Sequence, residues 1–225
     1  MPENIQLSDS DGKWLVRTAR MAVREFLYNG YKSKFDDWRH EMDERWNEKD
    51  ERWNRSVKEQ KKKLSVKVGG MFVTLNNTDG LRGCIGFINS DRKLHNGIID
   101  AAIMAATEDT RFRPVKTDEL NDIVFEVTVL TPPVEIDVSD PMEYLEKIKV
   151  GRDGLIIRHS FSSGLLLPQV PVEYSWSTEE FLQHTCEKAG LEKDAWKNKK
   201  VKIEKFEGII FKEETPNGAI VREET

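Results

Sequence analysis

Two cysteines in 225 residues are too few for a disulfide framework. They stand far apart, at Cys84 and Cys186, with neither a CxxC pair nor a cysteine–histidine cluster, which argues against a structural zinc site as well. The four histidines are scattered, forming no HxH, no HExxH and no facial triad, so no metal is expected. Nucleotide signatures are missing too: Gly83 and Gly86 lack the third glycine and the following helix start that a phosphate would use, and no cofactor is expected. Forty acidic against thirty-five basic side chains leave a net charge of −5, hence no overall basic field to draw nucleic acid from a distance. No window approaches about eighteen uninterrupted apolar residues, and the opening MPENIQLSDSDGK is polar and acidic where a signal peptide is basic and then apolar. The expectation is a cytoplasmic chain in a reducing compartment, with no membrane partner.

What is present organises itself along the chain. Ser8 to Asp11 offer N-caps for a helix carrying Leu15, Ala19, Ala22, Val23, Phe26 and Leu27, closed by Asn29-Gly30. Residues 31–63 are heavily charged, with no internal glycine or proline, and hold the near-repeat DERWNEK–DERWNRS. Phe35, Trp38, Met42, Trp46, Trp53 and Val57 recur there at helical steps. That stripe is either packed on the rest of the protein or is an arm for a protein partner or self-association.

From Gly69 the texture becomes strand-like. Met71–Leu75, a polar turn and Leu81–Ile88 read as an antiparallel hairpin with Cys84 on its second strand. Leu94, Ile98 and a face of alanines read as a helix made for close packing. Asp122–Leu130 reads as a core strand with Glu126 in its midst, stopped by Pro132-Pro133. Asp140-Pro141 opens a short helix, GRDG turns into Leu155–His159, and Ser177–Glu180 is a capping box. Val201–Phe206 and Gly208–Glu213 read as two further strands before a polar tail at 214–225. Helices and strands mix without βαβ alternation, so the fold class is α+β with a mostly antiparallel sheet and flanking helices.

The segments LRGCIG (81–86), RFRP (111–114), FEVTVLTPP, GRDGL, GLLLPQV and FLQHTCEKAGLEKDAW, in this order over roughly residues 10–213, resemble the AMMECR family. The resemblance implies one domain in a large and a small lobe, with the LRGCIG strand near a cleft between them. It also implies enzymatic company, since related domains occur beside a Memo-type dioxygenase-like domain and a radical-SAM domain. It implies no particular reaction, and the 31–63 segment departs from it.

Candidate site residues gather on the matching motifs. Cys84 is either a thiol activated by Arg82, with which it shares a strand face, or a small packing residue. Glu126 is either a catalytic acid or the buried ion-pair partner of Arg82. Cys84, Arg82 and Glu126 form the catalytic candidates; Thr74, Gly83, Gly86, Arg111, Gln169 and Lys188 form the ligand-binding ones, with His159 or His184 as a base brought close by folding. Three roles stay open: an enzyme or enzyme partner acting on a small-molecule or macromolecular substrate, a module for RNA or a nucleotide, and a scaffold using the Trp-rich segment.

Overall fold

The computed structural model describes residues 5–32, 58–88 and 91–223. Chain contacts divide it into two compact units, a larger one holding Glu3–Val129 and Ile209–Glu224, and a smaller one holding Leu130–Gly208. Each has its own hydrophobic core.

In the larger unit the first helix, α1 (Asp9–Asn29), starts and stops where its sequence says. The Ser8 hydroxyl accepts from the Asp11 N–H at 3.3 Å while the Asp11 carboxylate accepts from the Ser8 N–H at 2.6 Å. Gly30 closes the helix at φ 71°, its N–H bonding the Phe26 carbonyl. The Trp stripe at Phe35–Val57 lies outside the described residues. The end of that segment, residues 58–63, is helical, and Gln60 donates to Asp11 at 2.6 Å, so it is tied to the cap of α1.

The hairpin is β1 (Gly70–Asn77) and β2 (Gly80–Ile88), antiparallel, with Thr74 opposite Cys84. Helix α2 (Leu94–Thr107) follows, then β3 (Val124–Leu130). The smaller unit holds β4 (Val134–Glu135), a helical turn at Tyr144–Lys147, β5 (Asp153–His159), β6 (Ser162–Leu166), a short helix Gln169–Glu173, and α3 (Thr178–Lys188) with its Ser177–Glu180 capping box. The last strands are β7 (Lys202–Glu213) and β8 (Ile220–Glu223). In the larger unit the strand order is β2-β1-β3-β7, with β8 on β7; in the smaller it is β7-β5-β6, with β4 on β7. The α+β class with antiparallel strands and flanking helices is the one the sequence pattern implies.

Two sequence expectations are corrected here. The two strands expected at 201–213 are one, β7, because the chain does not turn at Glu207-Gly208 but changes partner: β5 pairs with it through Glu207, and β8 from Ile210 onward. The polar tail is not wholly irregular either, since Ile220–Glu223 supplies that partner strand.

Alternation places the faces of the larger sheet. A Cβ on Gly83 would lie 2.2 Å from the Ala105 carbonyl oxygen of α2, and one on Gly97 of α2 would lie 2.0 Å from the Met71 sulfur. Arg20 of α1 stacks over Phe125 at 4.5 Å. Met71, Gly83 and Phe125 therefore face the helices, which puts Thr74, Cys84 and Glu126 together on the opposite face.

Candidate functional site

Cys84 sits on the outermost strand of its sheet. Its pairing with Thr74 leaves its own N–H and C=O pointing away from β1, where an edge strand has unsatisfied groups. Two side chains from the turn after α2 fill them. The Cys84 N–H donates to Asp109 Oδ2 at 2.8 Å, and Arg111 Nη2 donates to the Cys84 carbonyl at 3.3 Å. Arg111 also holds Asp109 by a fork, Nε to Oδ1 at 2.9 Å and Nη2 to Oδ2 at 2.7 Å. The Asp109 carboxylate is buried, and the Arg111 hydrogen bond, reinforced by the Cys84 and Arg111 N–H groups against the opposing effect of burial, holds it well below the usual carboxylate range. Arg111 is pushed upward in turn, chiefly by that carboxylate, with Cys84 adding to it.

The Cys84 side chain is half-buried, and the Thr74 hydroxyl donates to its sulfur at 3.3 Å. Cys186 is its opposite: fully buried on α3, with burial raising its thiol to about 11.

Arg82 does not play the part expected of it. Leu75 pairs with Gly83 and Asn76 with Leu81, so Arg82 is the extra residue of a β-bulge. A bulge re-aims its side chain, and here the guanidinium reaches Glu119, at 2.8 and 3.1 Å, and the Arg113 carbonyl at 2.8 Å. The expected Arg82–Glu126 pair is thus absent, Glu119 taking that place. Glu126 lies near Lys212 and Glu223; burial raises its carboxyl, the Glu223 charge adds to that, and Lys212 opposes it.

The two glycines expected at a ligand turn out to make room for protein. Gly83 admits the backbone of α2, and a Cβ on Gly86 would fall 2.2 Å from the Phe72 ring. Gln169 and Lys188 are exposed in the smaller unit, at the first residue of a short helix and the last of α3. His184 bonds Glu187 at 2.8 Å and stacks on Trp176, and His159 ends β5, both in the smaller unit. His95 is buried against the Leu64 carbonyl. The larger unit therefore unites Cys84, Thr74 and Arg111, places Glu126 on the same sheet face, and adds Asp109 and Glu119. Neither of these last was singled out from sequence, where the register of the edge strand that needs Asp109 is invisible.

Among the described residues no three His, Cys, Asp or Glu side chains are grouped to hold a metal ion, and no helix is long and apolar enough to cross a membrane.

An α+β chain whose edge strand carries a half-exposed cysteine clamped by an aspartate–arginine pair is the class of protein these features define. The AMMECR1 family model matches residues 16–211, and the chain belongs to that family. Protein MJ0810 of Methanocaldococcus jannaschii is 53% identical over 154 residues, 68% of this chain and 77% of its own length. Protein PH0010 of Pyrococcus horikoshii is 43% identical over 222 residues, covering 96% and 97% of the two chains. The crystal structure of the latter, an uncharacterized protein, superposes with a TM-score of 0.73 at 42% identity over 97% of this chain and 99% of that one.

Proposed function

We propose that the face of the hairpin at Cys84 is a ligand or substrate site and that the chain is an enzyme, or the partner of one in a radical-SAM or Memo-type system, with Cys84 as its reactive group. The observation that carries this reading is the half-buried Cys84, whose sulfur receives the Thr74 hydroxyl while Arg111 holds its carbonyl. A packing cysteine is sealed from solvent, as Cys186 is in the same chain, where its sulfur takes the Trp196 backbone N–H; Cys84 differs in being open. In this reading a hydroxyl and a guanidinium, rather than a histidine base, stand at the nucleophile. Glu126, kept prone to protonation by burial, supplies an acid on the same sheet face.

The test is selective alkylation of the native protein with iodoacetamide, read peptide by peptide. Cys84 is expected to be labelled near neutral pH while Cys186 is spared, and Cys84→Ala is expected to shift the melting temperature by no more than about 2 °C. A native Cys84 as inert as Cys186, together with a Cys84→Ala variant that melts much lower, would make it a packing residue.

A module for RNA or a nucleotide is the second reading, favoured by the exposure of Arg113 and Lys116 beside Arg111. It counts against this reading that Arg82 is already committed to Glu119. Its mark is affinity that falls steeply with salt; binding that is absent or indifferent to salt removes it.

A further inference from the structure

Arg111 is only partly used. Its Nε and Nη2 are committed to Asp109 and to the Cys84 carbonyl, whereas Nη1 makes no hydrogen bond among the described residues. The side chain is 55% exposed although one edge of it is pinned to a carboxylate that is only 6% exposed. A surface arginine loses rotamer entropy when it stops to bind; this one is already held, with its free edge outward. The Phe112 ring flanks the guanidinium at 5.4 Å. Two residues on, Arg113 is exposed and has neither hydrogen-bond nor ion-pair partner for its side chain among the described residues. Arg82, by contrast, is occupied by Glu119 and cannot serve without breaking a bidentate pair.

We infer that the substrate of this site carries an anionic group, a carboxylate or a phosphate, that docks on the Nη1 edge of Arg111 beside Cys84, and that Asp109 is the positioning residue that aims Arg111. This rests on the reading of Cys84 as the reactive group. The chemistry follows from the charge and the free donors: with Nε and Nη2 spent, the preoriented cation offers the N–H bonds of Nη1, which an anionic oxygen accepts more strongly than a neutral one. Asp109 does two things with one carboxylate, since Oδ2 also accepts from the Cys84 N–H. It thereby fixes the cation and the thiol-bearing backbone to each other, so that a charge bound at Arg111 arrives at a set place relative to the sulfur.

Paired alkylating agents of like size and unlike charge test this on the full chain. Iodoacetate and iodoacetamide both react by thiolate attack on the CH2 carbon, forming S–C and expelling iodide, but only the first carries a carboxylate. Relative to Cys84 in the urea-unfolded chain, the native thiol is expected to favour iodoacetate over iodoacetamide by about fivefold, the scale of one charge a few ångströms away in a wet site. Arg111→Gln should abolish the preference, and Arg111→Lys, which keeps the charge and loses the fork, should restore part of it. Inorganic phosphate should slow iodoacetate more than iodoacetamide.

Asp109→Asn separates positioning from charge. Removing a negative charge alone would raise the preference for the anion, whereas releasing an aimed arginine lowers it, and the lower value is expected. A native ratio equal to that of the unfolded chain, or an Asp109→Asn ratio above wild type, would overturn the corresponding half of the inference. If native Cys84 proves inert to both reagents, the reading of the thiol fails instead. The anion site is then decided by the Arg111 Nε–H resonance during titration with inorganic phosphate, where an unmoved signal refutes it.

Discussion

Gly83 occupies the place where a methyl group would strike the Ala105 carbonyl oxygen of α2, at 2.2 Å from an ideal Cβ. A backbone oxygen inside a helix cannot swing aside as a flexible side chain can, so the helix itself must move. Gly83→Ala is therefore expected to cost ~1–3 kcal/mol, the range for overpacking a tight interior, measured as a lower urea midpoint. The shift of α2 should also reach Cys84, because Asp109 follows that helix by two residues and holds the Cys84 N–H. At this scale LRGCIG is a motif of two alternating duties. Its odd position Gly83 meets the helices, and its even position Cys84 meets the open face. Arg82 escapes that alternation because it is the bulged residue, which is why its carboxylate partner is Glu119 and not Glu126.

At the scale of elements, the features legible in the sequence are those written locally. Ser8 with Asp11, Ser177 with Glu180 and Gly30 mark helix ends through contacts within four residues, and all are found where expected. The hairpin was legible because its turn chemistry and apolar runs are adjacent. What joins distant segments was not. β7 reads as two strands since nothing in its own residues announces a change of partner at Glu207. Nor does the sequence show that Arg20 of α1 meets Glu213, 193 residues later, through Nε at 2.6 Å and Nη2 at 2.5 Å. That pair is sealed and completed: Arg20 also donates to the Leu120 and Ile123 carbonyls, and the Phe125 N–H donates to Glu213 at 3.0 Å. Arg20→Met would strand a buried carboxylate and two carbonyls, and is expected to cost about 3–5 kcal/mol in chemical denaturation. Coupling it with Glu213→Leu should recover part of the loss, since the uncompensated charge then disappears, although Phe125 still loses its acceptor.

For the whole molecule, the candidate site and the fold share one acid-sensitive feature, carboxylates clamped in the folded state. Asp109 is lowered chiefly by Arg111. Glu119 is lowered chiefly by the Arg82 hydrogen bond. For Asp11 burial pushes upward, but Lys63, Ser8 and Gln60 together outweigh it. Asp153, fully buried in the smaller unit, follows the same balance, burial being outweighed by Arg152, the Lys149 N–H and Lys205. Each of these binds its proton less readily folded than unfolded. Their contribution to stability is therefore complete above the unfolded values, 3.8 for aspartate and 4.5 for glutamate, and is lost as pH falls below them toward the folded ones. Glu126 runs the other way: burial, then Glu223, raises it, so the folded state holds its proton more tightly and the penalty grows as pH rises above 4.5. Urea denaturation from pH 7 to pH 3 should show stability falling once pH drops below about 4.5 in the wild type. Glu126→Gln should be more stable than wild type at pH 7 and converge with it in acid. Asp109→Asn should do the reverse, being destabilised at pH 7 and losing less on acidification. If the Glu126→Gln curve instead ran parallel to wild type at every pH, its carboxyl would be solvated in the folded protein, and the acid assigned to the thiol face would have no basis.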